Sequence, residues 1–226
     1  MLYSIFTCMK YQTVATTLHY LRSVSRNVEN HVLNAVNYLS GEVTESVHKD
    51  FKLYANFLTE DEEIELMNEI DPIFKRRRYQ FDHWDGAIEG YRETEKLEWN
   101  EKNSFVLQRV RELAFPSDTV PMKQIHILDL AKNGYIKPHV DSIKFCGDTI
   151  VGLSLLSSSV MRLVSEKNKN MVVDCLLPRR SLYVMKGSVR YDFTHEILGE
   201  KCSYFKGKLI AKDRRVSVIC RNEPLS

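Results

Sequence analysis

Arg215-Val216-Ser217-Val218-Ile219-Cys220-Arg221 alternates between two kinds of residue. Arg215, Ser217, Ile219 and Arg221 share one parity, and Val216, Val218 and Cys220 share the other. Side chains of an extended strand change face at every residue. The run therefore predicts a strand with one apolar face and one face that carries both guanidinium groups. If the arginine face lines the interior of a closed sheet, two cations are buried there. Buried charges need partners, because desolvation is otherwise strongly unfavourable. A small dicarboxylate is one such partner, gripped with a bidentate geometry that lysine cannot match. An edge strand with both arginines in water is the ordinary alternative.

Upstream lies the tripeptide His139-Val140-Asp141, and His195 follows 56 residues after His139. In an extended segment His139 and Asp141 point to one side. Tyr191, Phe193 and His195 alternate in the same way, so His195 is expected on a second strand. A β-barrel brings such distant strands together with inward-pointing side chains. Two imidazoles and one carboxylate on one side of a ferrous ion leave the other positions open to dioxygen and a chelating keto acid. By itself the pair is a weak motif, since an exposed turn histidine followed by a loop aspartate reads the same way. His195 alone reads equally as a core histidine hydrogen-bonded to backbone. The conjunction with the arginine strand favours a metal site with an organic-acid co-substrate, and Ser217 is placed to donate a hydroxyl to the same ligand.

The rest of the chain predicts a helical front and a β-rich back. Phe51 to Phe57 reads as a short strand and turn. Thr59-Glu60-Asp61-Glu62 has capping-box spacing, and Ile64, Leu66, Met67 and Ile70 supply an apolar helical face, with Pro72 ending or restarting the helix. Glu93 to Ala114 has helical periodicity, and residues 79–122 read as helical and short. Strands are expected at about 123–130, 149–156, 160–164, 171–177, 181–186, 189–193 and 215–220, with Asn168-Lys169-Asn170 as a turn. This pattern predicts a mainly β fold, a double-stranded β-helix (jelly-roll) barrel with flanking helices.

Composition fits one domain with its own core, 43% hydrophobic and 27% charged. There is no apolar run of membrane-spanning length. Five scattered cysteines show no pairing pattern, which points to a reducing compartment. Residues 1–28 contain Lys10, Arg22 and Arg26 and no acidic residue, the composition of a mitochondrial presequence, with a disordered or helical N-terminal extension as the alternative. Residues 29–50 read as a partly helical link, and 51–226 as the domain. Removing 1–28 leaves 29 basic against 30 acidic residues, a near-neutral domain without the footprint of a nucleic-acid binder. The basic run Lys75-Arg76-Arg77-Arg78 reads as a solvated helix end.

The chain resembles the AlkB-like Fe(II)/2-oxoglutarate dioxygenases, and within them the mitochondrial branch. The resemblance spans roughly residues 51–221. It is carried by KRRRYQFDHWD (75–85), RETEK (92–96), GYIKPHVDSIKFCG (134–147), GLSLLS (152–157), YDFTHEIL (191–198) and RRVSVICR (214–221). It implies that His139, Asp141 and His195 ligate iron and that Arg215 binds the distal carboxylate of 2-oxoglutarate. Arg221 would lie near the metal-bound end, with Tyr183 assisting the distal carboxylate; an ordinary core tyrosine is the alternative for Tyr183. Fe(2+) is then the cofactor, with 2-oxoglutarate and dioxygen as co-substrates. Base-repairing members carry an Asn-x-Tyr pair where this chain has Leu128 and Leu130, and β-hairpins in the segment read here as helical. These departures disfavour nucleobase repair, duplex DNA above all. The resemblance implies a monomeric enzyme of the mitochondrial matrix that hydroxylates a mitochondrial protein, in a branch linked to regulated necrosis after alkylation damage and to fatty-acid metabolism. Demethylation of RNA or DNA is the second enzymatic reading. An interaction protein that senses 2-oxoglutarate and oxygen without turnover is the reading from another class.

Overall fold

The computed structural model describes residues 35–40, 45–81 and 86–224. Residues 1–28, expected as a presequence, lie outside them. The strands are β1 (Val36–Ser40), β2 (Phe51–Tyr54), β3 (Ile88–Lys96), β4 (Ile125–His139), β5 (Thr149–Leu155), β6 (Ser159–Ser165), β7 (Val172–Leu177), β8 (Ser181–Lys186), β9 (Phe193–Ile197), β10 (Tyr204–Phe205), β11 (Lys208–Leu209) and β12 (Arg215–Arg221). The helices are α1 (Glu45–Asp50), α2 (Glu60–Phe74), α3 (Glu101–Ala114) and α4 (Gly187–Tyr191). Among the described residues, all strands except the small β10–β11 ribbon belong to one sheet in the order β1-β7-β6-β9-β4-β12-β5-β8-β2, with β3 also paired to β4.

β4 joins the two halves of this sheet. Its front portion pairs with β12, from His126 to Leu130, and its end pairs with β9, at Ile136 and His139. The inner faces of the halves meet in one buried cluster. Leu128, Ile150, Tyr183 and Ile219 from one half join Met161, Leu163, Val173 and Phe193 from the other. The outer face of the first half buries Val151, Leu153, Leu182, Val184, Val216 and Val218 against Leu66, Ile70 and Phe74 of α2 and Val106, Leu107 and Val110 of α3. Burying each such aliphatic side chain contributes about 1.5–3 kcal/mol. This is the jelly-roll that the string of short strands predicts.

The capping box forms at α2: Thr59 Oγ1 accepts from the Glu62 amide at 3.1 Å, and the Thr59 amide donates to Glu62 Oε2 at 2.9 Å. Leu66, Met67, Ile70 and Phe74 are its buried apolar face, whereas Ile64 is 55% exposed because it lies off that stripe. Pro72 does not break the helix, which continues to Phe74. The basic run 75–78 is exposed just beyond its end. Asn168 accepts from the Asn170 and Met171 amides in the β6–β7 turn.

Several expectations give way. The helix expected from Glu93 begins only at Glu101, and Ile88–Lys96 is a strand on β4. Tertiary pairing overrides the helical periodicity, since Arg92 and Glu93 both find partners across the strand. Close approach of β3 and β4 at a bulge needs two glycines: a Cβ on Gly134 would lie 2.5 Å from the Gly90 carbonyl oxygen, and Gly90 has φ +65°. The strand expected at 123–130 runs on to His139. The strand expected at 189–193 is instead the short helix α4, entered at Gly187 with φ +50°, and β9 starts at Phe193. Within the segment read as a link, β1 pairs with β7.

Asp129 ties β3, β4 and β12 together beneath α2. It is fully buried and accepts from Arg92 Nε at 2.8 Å, Arg214 Nη2 at 2.8 Å and the Tyr79 hydroxyl at 3.0 Å. Arg214 also reaches Asp71 of α2 at 2.7 Å. Removing one side of a buried, hydrogen-bonded ion cluster typically costs about 3–5 kcal/mol. Asp129→Ala is expected to lose that much in urea unfolding monitored by circular dichroism. A loss under about 1 kcal/mol would show that the two arginines find other acceptors.

Candidate active site

His139 closes β4, and its cross-strand partner on β9 is His195. The two rings lie 4.2 Å apart between centroids. Asp141 follows just beyond the strand, with Oδ1 3.2 Å from His139 Nε2 and 3.7 Å from His195 Nε2. Ligand atoms of the three residues fall within 4.8 Å of one another, near enough to share one ion. His139 Nδ1 donates to the Lys137 carbonyl at 2.9 Å, which aims Nε2 at the cluster. Burial alone would raise the Asp141 carboxyl. The hydrogen bond from His139 and the charges of His195 and Arg221 outweigh it and hold the group well below the usual carboxylate range. Burial pushes His195 down to about 4. An ionised carboxylate and a neutral imidazole are the forms that bind a metal.

The parity of β12 is borne out. Arg215 and Ser217 are both 2% exposed and face the same cavity as the His–Asp–His cluster. Arg215 Nε donates to Ser154 Oγ at 3.0 Å, while its Nη2 has no hydrogen-bond partner among the described residues. A buried donor left unmade carries its full desolvation cost, so this guanidinium is suited to an incoming anion. Tyr183 lies beside it and supports its charge, against burial that lowers the guanidinium's pKa. The tyrosine fits because its cross-strand neighbour is Gly152, where a Cβ would come within 2.5 Å of the hydroxyl. Arg221 Nη2 lies 3.5 Å from Asp141 Oδ2.

All seven residues singled out from the sequence line one cavity of about 390 Å³. Its remaining wall is largely aliphatic, with Leu128, Ile136, Ile150, Met161, Ile197 and Ile219. Tyr191 does not share the His195 face. It ends α4 and is 41% exposed, so the alternation begins at Phe193. Leu130 is buried in the inner cluster beside Leu128. Gly152 and Ser154 escaped the sequence reading, although their parity on β5 places them on the inner face. Arg190 also escaped it and left no local signal. It is buried in α4 and donates to the carbonyls of Asp141 at 2.8 Å and Gly147 at 3.2 Å, pinning the loop that carries the carboxylate. A separate groove of about 560 Å³ between α2 and α3 has no such donor set, and its Glu62 and Glu65 are already paired with Arg109 and Lys102.

The donor set fits divalent iron, with imidazole and carboxylate ligands on one side. The orphaned Arg215 nitrogen fits a carboxylate of a small acid. No protein-family model matches the chain. The chain is 51% identical over 172 residues to alpha-ketoglutarate-dependent dioxygenase alkB homolog 7, mitochondrial, of Mus musculus, a match covering 76% of this chain and 78% of that protein. It is 52% identical over 168 residues to the Bos taurus protein of the same name, covering 74% of this chain and 76% of that one. A Trichoplax adhaerens prolyl hydroxylase in complex with a hypoxia inducible factor peptide fragment shares the fold. Its TM-score is 0.58 at 12% identity, covering 91% of this chain and 92% of that one. Identity of half the residues over three quarters of the sequence, on a jelly-roll that gathers two histidines, an aspartate and a buried arginine in one cavity, leaves one conclusion: the chain belongs to the AlkB-like dioxygenases, which depend on Fe(2+) and 2-oxoglutarate and use dioxygen.

Proposed function

We propose that this mitochondrial AlkB-family dioxygenase hydroxylates a protein of the matrix. His139, Asp141 and His195 would hold the iron, and Tyr183, Arg215, Ser217 and Arg221 the 2-oxoglutarate. One observation carries the reading. The three metal-type donors share a cavity with a buried guanidinium whose Nη2 lacks a partner among the described residues. Arg215 is suited to the distal carboxylate, with the Tyr183 and Ser217 hydroxyls as further donors, and Arg221 to the end nearer Asp141. Bound iron with its co-substrate supplies oxygen activation, so that 2-oxoglutarate and dioxygen give succinate, carbon dioxide and one hydroxyl on the substrate. The chain's own part is to orient the acid through its two arginines and to keep water from the reacting centre with the aliphatic wall.

The aliphatic part of that wall supports the choice of a protein substrate. A methylated base must be flipped out and gripped by stacking and by hydrogen bonds to its edge. Leu128, Ile136 and Ile219 offer neither, and base-repairing relatives carry polar residues at Leu128 and Leu130. The near-neutral charge after residue 28 also speaks for a protein partner over a polyanion. In this reading 1–28 is the presequence, 29–50 a link and 51–226 the monomeric catalytic domain. The roles in regulated necrosis and fatty-acid metabolism rest on the family resemblance.

Three measurements bear on this. His139→Ala and Asp141→Ala should each lose stoichiometric iron and succinate formation. Wild-type values in either variant would remove that residue from the centre. Arg215→Ala should keep its iron while 2-oxoglutarate affinity falls by about 2–5 kcal/mol, at least roughly thirtyfold in Kd by calorimetry. Unchanged affinity would take Arg215 out of the co-substrate site. Mitochondrial protein extract should stimulate succinate release, and a methylated duplex oligonucleotide should not. Efficient demethylation of that duplex would overturn the protein-hydroxylase reading.

A further inference from the structure

Arg221 is held from behind. Its Nη2 lies 3.4 Å from His126 Nδ1, and His126 Nε2 lies 2.9 Å from Glu93 Oε2. The sheet register makes this chain of contacts possible. On β4, His126 sits opposite Ile219 of β12 on one side and Glu95 of β3 on the other. Arg221 and Glu93 are its diagonal neighbours, two residues along each partner strand, within reach of long side chains. His126 and Glu93 also line the cavity.

The hydrogen-bond logic runs in one direction. A guanidinium has donors and no acceptor, so the His126 nitrogen that faces it must accept. The proton of a neutral ring then resides on Nε2, which donates to the Glu93 carboxylate. Glu93 thus selects the tautomer that can take a hydrogen bond from Arg221. Arg221 Nε is buried without a partner among the described residues, so the contacts of the terminal nitrogen set its aim. That aim is Asp141 Oδ2 at 3.5 Å, whereas both histidines face Asp141 Oδ1.

We infer that Glu93 and His126 are positioning residues: acting through Arg221, they keep Asp141 Oδ2 engaged, so that Oδ1 alone is offered to an ion shared with His139 and His195. The inference rests on the metal role proposed for that triad. A carboxylate released from Arg221 is free to turn both oxygens toward an ion and to use a position that a co-substrate needs.

The test uses the full chain and Co(II) as probe. Its visible bands report coordination number, weakening as ligands are added. His126→Phe removes the acceptor and should change Co(II) affinity about tenfold or more, the usual scale for losing a partner behind a ligand, and weaken the bands as the second carboxylate oxygen joins the coordination. His126→Asn, which can place a carbonyl oxygen near the Nδ1 position, should restore most of the affinity and the spectrum. Glu93→Ala should shift both in the direction of His126→Phe, and it decides the matter if His126→Phe does not fold, because Glu93 is 38% exposed. Long-range proton–nitrogen spectra of the histidine rings should show His126 protonated on Nε2. Wild-type affinity and bands in both His126→Phe and Glu93→Ala, or a His126 ring protonated on Nδ1, would overturn the positioning role. Equal Co(II) binding by wild type and Asp141→Ala would instead overturn the metal reading, and the inference with it.

Discussion

The strands β4, β12, β5 and β8 must satisfy two environments at a period of two residues. One face lies against α2 and α3 and is dry; the other contributes side chains to the cavity. β12 shows the constraint most sharply, with Val216, Val218 and Cys220 outward and Arg215 and Ser217 inward. A slip of one residue would send two guanidinium groups into the helical layer and three aliphatic or thiol side chains into the site. The outer core therefore does more than stabilise. It locks the register on which the position of every donor depends, so that packing energy is converted into placement of chemistry.

The same alternation decides how far the sequence can be read. Arg215, Ser217 and Arg221 were legible because their parity is local. The His139–Asp141 spacing was legible for the same reason. His195 was legible only as a residue type at a distance, and its true partner, the residue directly across the ladder, needed the sheet. The helix expected from Glu93 failed because Arg92-Glu93-Thr94-Glu95-Lys96 is charged enough to read as an exposed helix. In the folded chain those charges are used on both faces of β3, Arg92 toward Asp129 and Glu93 toward His126. Propensity cannot register partners thirty residues away. Gly187 at positive φ turned the expected strand before His195 into a helical turn, a backbone choice that no periodicity announces.

Large polar side chains are buried at and behind the cavity. Arg190, Arg215 and Tyr183 are buried among aliphatic side chains, and each is met by small or backbone partners: the Asp141 and Gly147 carbonyls, Ser154, and the bare Cα of Gly152. Small residues opposite large polar ones are how this interior stays both filled and reactive. The arrangement leaves Arg215 Nη2 without an acceptor among the described residues, a donor suited to an incoming anion.

β9 is unequally attached to its neighbours. It pairs with β6 without interruption from Phe193 to Ile197, but with β4 only at Ile136 and His139, across a register shift that contains Pro138. Proline has no amide hydrogen to give to the ladder. The barrel thus has a seam, and His139 and His195 stand on its two lips. An ion bound by both would act as a clasp, joining two leaves that the backbone only tacks together. Its affinity would then be shared between holding the ion and holding the barrel shut, so that occupancy raises the stability of the closed form by mass action.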